Sequence, residues 1–158
     1  MFGSLLSIDP FTWPEIGSAI LCGFIIGFER QLRGKPVGIR TSSLIILGTY
    51  VFVTASFYVA TDDTDPSRII GQVVTGIGFL GAGVMLSRDG MVMGVTSAAT
   101  IWGLAAIGVC IAAVSIAPAI KLSVIFVLIL VGVDLLEESF VSLTRGVHKR
   151  IRGGRNQG

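Results

Sequence analysis

The chain has 158 residues, enough for one domain, and a hydrophobic fraction of 52%. Charged residues make up only 14%, well below the roughly 25% usual in a soluble domain, so the expected solvent is lipid. The net charge of +2 is too small to suggest nucleic acid as a partner.

The first apolar run covers roughly residues 12–28. Asp9 and Glu15 precede it in place of a basic n-region, so a cleaved signal peptide is not expected. Its Ala19, Gly23 and Gly27 recur every four residues, a small-xxx-small spacing that lets membrane helices approach closely. A loop with Arg30, Arg33, Lys35 and Arg40 follows, against the single acid Glu29. The second run is roughly 42–60. The next loop holds only acids, Asp62, Asp63 and Asp65, read as a solvated loop rather than a divalent-cation site. Asp65 before Pro66 is an N-cap signal with proline at the first helical position, and it stands three residues before Arg68.

The third run, roughly 68–86, carries five glycines, Gly71, Gly76, Gly78, Gly81 and Gly83, although glycine is the least tolerated helix residue after proline. At about 100° per residue, Ile69, Ile70, Val73, Ile77, Leu80 and Val84 share one arc. The glycines border a second arc holding Arg68, Gln72, Thr75, Phe79 and Ala82. Since lipid supplies no hydrophobic drive between helices, the expectation is a helix wedged between two neighbours. Its apolar arc then faces lipid and its polar stripe faces the bundle.

Arg88 and Asp89 form the third loop. The fourth run, roughly 94–114, opens with Thr96, Ser97 and Thr100, and the fifth is roughly 116–136. Cys22 and Cys110 lie in apolar runs and read as small core residues. With one histidine, His148, no histidine-based metal cluster is possible within the chain. No GxSxG, HExxH or P-loop pattern is present, so neither an enzyme nor a cofactor is expected.

Each run is near the ~20 residues a span requires. The expected fold is therefore an all-α, polytopic bundle of about five transmembrane helices, with residues 1–145 as the membrane domain and 146–158 as a basic tail. Basic loops stay cytoplasmic, which puts the N-terminus outside and the C-terminus inside. Ionisable groups near the membrane are candidates for function because they are costly there. These are Glu29, Arg30 and Arg40 at one set of helix ends, and Asp65, Arg68 and Gln72 at the other. Exposed small-residue seams make a homo-oligomer plausible.

Three stretches, GFERQLRGKPVGIRT (27–41), DPSRIIGQVVTGIGFLGAGVML (65–86) and GVTSAATIW (94–102), resemble the membrane domain of the MgtC/SapB family of bacterial inner-membrane proteins. The resemblance spans about residues 15–135. It implies a bundle of four or five spans and a role in growth under magnesium limitation, intracellular survival and virulence. It also implies a regulatory action on a membrane partner such as the F1Fo ATP synthase, rather than direct magnesium transport. Carried over by motif are Glu29, Arg30 and Arg40, then Asp65, Arg68 and Gln72. The departures are Val37 for the usual alanine, Val95-Thr96-Ser97 for Leu-Thr-Thr, and the expectation that the C-terminal ACT-like domain of several members is missing. The competing reading is a transporter or channel with a polar path lined by the third span.

Overall fold

A computed structural model of the chain describes residues 7–61, 65, 67–88 and 91–139. Asp62, Asp63, Pro66, Asp89 and the basic tail of 146–158 lie outside the described residues.

Among the described residues, five helices form where the five apolar runs stand: α1 (Trp13–Leu32), α2 (Ile39–Val59), α3 (Ser67–Gly83), α4 (Val95–Ala113) and α5 (Ile116–Ser139). Of these α2, α4 and α5 are long and apolar enough to cross a membrane by length and composition. The other two segments are marked by their own sequence, since α1 holds Glu15, Glu29 and Arg30 and α3 has only 17 residues.

Local chemistry sets the boundaries. Thr12 is the N-cap of α1. Its hydroxyl accepts from the Glu15 backbone N–H at 3.4 Å and donates to Glu15 Oε2 at 2.7 Å, while its own backbone N–H donates to the Tyr50 hydroxyl. The helix ends at Leu32 with Arg33 as its C-cap, and Gly34 follows with φ 61°, the left-handed conformation glycine supplies freely. Val37 in the same loop has φ 70°, a strained value for a β-branched residue. Its carbonyl accepts from the buried Ser42 hydroxyl at 3.2 Å. Between α3 and α4 an antiparallel hairpin pairs β1 (Leu86–Arg88) with β2 (Met91–Met93), in register Leu86 with Met93.

The core lies where α1, α2, α4 and α5 meet. Ala19, Cys22 and Ile26 pack with Ile46, Tyr50, Leu104, Ile107 and Ala119, and both cysteines are free. Glycine allows the backbones to touch. A Cβ built on Gly23 would lie 2.4 Å from Ser43 Cα, one on Gly27 2.5 Å from Ile39 Cα, and one on Gly108 2.6 Å from the Ile46 carbonyl oxygen. Most of α5's large apolar side chains are exposed, among them Leu128 and Ile129, as expected of a helix solvated by lipid.

The third helix differs from expectation. Val73, Ile77 and Val84 pack against the core, so this part of the apolar arc faces the bundle rather than lipid, while Ile69 and Leu80 of the same arc are exposed along the gap toward α2. Arg68, Gln72, Thr75 and Ala82 are exposed, and Phe79 is 82% exposed. Of the five glycines only Gly81 is buried, where a Cβ would meet Ala98 at 3.7 Å. Gly71, Gly76, Gly78 and Gly83 have nothing within 4 Å of that position. The helix is therefore not wedged on both sides within one chain. The physical reason is reach: inside the bundle the long apolar side chains fill the space over α4, whereas small residues on that face would leave it void.

Candidate functional site

The six polar candidates fall into two groups at opposite ends of the bundle. Glu29 and Arg30 close α1, and Arg40 lies in the first turn of α2. Asp65 and Arg68 lie beside Val59 and Ala60 at the other end of α2. The 21 residues of α2 separate the two groups by about 30 Å, so the charged helix ends do not form one cluster.

At the first end, two charged residues are buried side by side, with Glu29 7% and Arg30 3% exposed. A buried charge is tolerable only when paired or hydrogen-bonded. Arg30 Nη2 donates to Ser97 Oγ at 2.6 Å, which ties the end of α1 to the start of α4. Arg33 Nε lies 2.8 Å from Glu29 Oε1 on the same helix face, while Glu29 Oε2 is buried with no hydrogen-bond partner among the described residues. The carboxylate is thus taken by Arg33 and not by Arg40, whose exposed side chain forms no ion pair among the described residues. Of the polar residues that open the fourth run, Ser97 makes a hydrogen bond across helices, while Thr100 donates to the Thr96 carbonyl of its own helix.

At the second end, Asp65 caps the first turn of α3. Its Oδ1 accepts from the Ser67 backbone N–H at 2.9 Å and its Oδ2 from the Ser67 hydroxyl at 2.7 Å. The hydroxyl bond first, and the backbone bond second, hold the Asp65 carboxyl below its ordinary pKa. The nearby Arg68 guanidinium adds a smaller attraction in the same direction, yet the two form no ion pair within 4.0 Å. Gln72 follows one turn deeper. Thr75 donates to the Gly71 carbonyl of its own helix at 2.9 Å and not to a neighbour.

A long cleft separates α2 from α3. One hollow of about 630 Å³ is lined by Leu44, Gly48, Phe52, Gln72, Gly76 and Leu80 among others. A second of about 490 Å³ is lined by Ser56, Val59, Asp65 and Arg68. They share Phe52, Ile69 and Gln72, so the cleft is continuous. Its walls are mostly apolar, with Thr41, Thr49, Ser56 and Gln72 as polar lining and Asp65 and Arg68 at the mouth. The packing glycines divide in the same way: Gly23 and Gly27 sit in a closed seam, Gly81 packs on α4, and Gly71, Gly76, Gly78 and Gly83 face open space.

The MgtC family model matches residues 16–139, and the chain belongs to that family. It is 50% identical over 101 residues to the putative magnesium transporter YhiD of Escherichia coli K12, covering 60% of this chain and 46% of that protein. It is 45% identical over 94 residues to the protein MgtC of Brucella abortus, covering 60% and 39%. Against the protein MgtC of Salmonella typhimurium it is 48% identical over 93 residues, covering 58% and 39%. The matched region thus spans less than half the length of these relatives. No solved structure matches the chain significantly.

Proposed function

We propose that this member of the MgtC family is a non-catalytic regulator in the bacterial inner membrane, which supports growth at low magnesium by docking on another membrane protein. The observation that carries this reading is the outward face of α3. Gly71, Thr75, Gly78 and Ala82 make a flat strip beside the protruding Phe79, turned away from the rest of the chain. Small residues let a partner's backbone come close, and in lipid such contact is what drives association. A second copy and the F1Fo ATP synthase are the first partners to test, the latter on the strength of the family resemblance. Survival inside a host cell is the setting in which such a role would bear on virulence. The basic first loop and tail support a C-terminal side in the cytoplasm, since basic segments tend to stay inside.

One observation favours transport instead: the continuous cleft between α2 and α3, in a relative of a protein named a putative magnesium transporter. Against magnesium as cargo, the Arg68 cation stands beside Asp65 at the cleft's mouth and the walls beyond are mostly apolar. The deciding experiment is flux. Purified chain in liposomes under a membrane potential is tested with protons, potassium, magnesium and phosphate. The regulator reading expects no flux above empty liposomes, together with loss of low-magnesium growth for Thr75→Leu. A flux abolished by Gln72→Ala would overturn it in favour of transport.

A further inference from the structure

We propose that the cleft between α2 and α3 is a binding site for one phospholipid, with its phosphate on Arg68 and its acyl chains running toward Leu80. The inference stands apart from the docking role, because the cleft lies on a different flank of α3 from the Gly71–Thr75–Gly78 strip.

The cleft's length fits the occupant. It follows α2 from Thr41 to Val59, about 27 Å of helix. The two hollows, of about 630 and 490 Å³, leave room for a slender, flexible chain along that length. From Arg68 to Leu80 the cleft runs about 18 Å along α3, close to the roughly 15 Å of hydrocarbon in one leaflet.

The order of chemistry along the cleft matches a lipid from head to tail. Arg68 stands at the mouth, exposed and with no ion pair among the described residues. Asp65 lies beyond ion-pair distance of it, both carboxylate oxygens accepting from Ser67, and attracts it only weakly. A guanidinium left in this way offers a planar fork of donors that fits phosphate. One turn deeper, about 5–6 Å on, the Gln72 side chain lines both hollows and offers an amide N–H at the level of an ester carbonyl. Beyond it the walls turn mostly apolar, with Val73, Ile77 and Leu80 facing Leu44 and Phe52. Gly48 and Gly76 leave the channel open, for a Cβ on either meets nothing within 4 Å.

The open glycines supply the test. Native mass spectrometry of the full chain in detergent would be titrated with dioleoyl phosphatidylglycerol, dioleoyl phosphatidylcholine and free inorganic phosphate. Expected is one phosphatidylglycerol per chain, weakened about tenfold or more by Arg68→Gln, which corresponds to about 1.4 kcal/mol. Gly76→Leu and Gly48→Leu should each evict the lipid while helix content by circular dichroism stays unchanged. Arg33→Gln, at the opposite end, should leave binding intact. The proposal is overturned by any of three results: lipid retained with full affinity in Arg68→Gln and in both leucine variants, phosphate alone binding as well as the lipid, or a disulfide forming between Phe52→Cys of one copy and Ile69→Cys of another, which would show the cleft filled by a second chain.

Discussion

Substituting alanine for glycine should have opposite consequences in α1 and α3. At Gly23 the new Cβ would stand 2.4 Å from Ser43 Cα and 2.6 Å from Ser43 N. Carbon atoms rest at about 3.5–4.0 Å, so α1 and α2 would have to part by more than about 1 Å along their shared seam. Backbone cannot swing aside as a side chain can. Overpacking of this kind costs about 1–3 kcal/mol, offset by at most about 1 kcal/mol of improved helix propensity. Gly71→Ala and Gly78→Ala meet nothing within 4 Å and should keep the propensity gain. Unfolding by sodium dodecyl sulfate in mixed micelles, followed by circular dichroism, measures both. Gly23→Ala should unfold earlier by about 1–2 kcal/mol, and the α3 variants should be neutral or more stable. If Gly23→Ala were neutral and Gly78→Ala destabilising in monomeric protein, the helix placement described above would be wrong.

Other consequences follow from the same contacts. Ser97→Ala removes the acceptor of a buried arginine at 2.6 Å and should cost about 1–3 kcal/mol in the same unfolding assay, whereas Ser97→Thr should cost less. Tyr50→Phe deletes a hydroxyl that donates to Glu15 Oε2 at 2.7 Å and accepts from the Thr12 N–H at 3.2 Å. A loss of about 1 kcal/mol is expected, with faster amide exchange at the start of α1. Gly108→Ala, facing the Ile46 carbonyl, should be worse than Gly103→Ala, whose new Cβ meets the ring edge of Phe126, a side chain that can rotate. Asp65 has a lowered folded pKa, so its contribution is present above the unfolded value of about 3.9 and is lost as pH falls through the lower folded value. Amide exchange at Ser67 and Arg68 should therefore accelerate below about pH 4, and Asp65→Asn should remove that pH dependence.

The helices were legible in the sequence because each is a long apolar run, and length alone separates such a run from a strand. The seam at Gly23 and Gly27 was equally plain, since a spacing of four keeps small residues on one face. The facing of α3 was not. Its wheel separates apolar from polar residues correctly, but in lipid both arcs have reasons to be inside, and periodicity does not choose between them. The choice came from volume, as Val73, Ile77 and Val84 fill the space over α4 that glycines would leave empty. The hairpin of Leu86–Arg88 and Met91–Met93 was also missed, although Asp89-Gly90 is a turn pair; three-residue strands are too short for alternation to show. The Glu29–Arg33 pair is an i, i+4 contact, a spacing visible in the sequence itself.

The central claim, that α3 turns its glycine-lined polar face outward to meet another membrane protein, is tested most directly by photo-crosslinking in living cells at low magnesium. A photoreactive residue at Thr75 or Phe79 should capture a second membrane protein or a second copy, while one at Ile77 or Val84 should crosslink only within the chain. Intramolecular products alone from Thr75 and Phe79, with intermolecular ones from Ile77, would contradict it and return the polar stripe to the inside of the bundle.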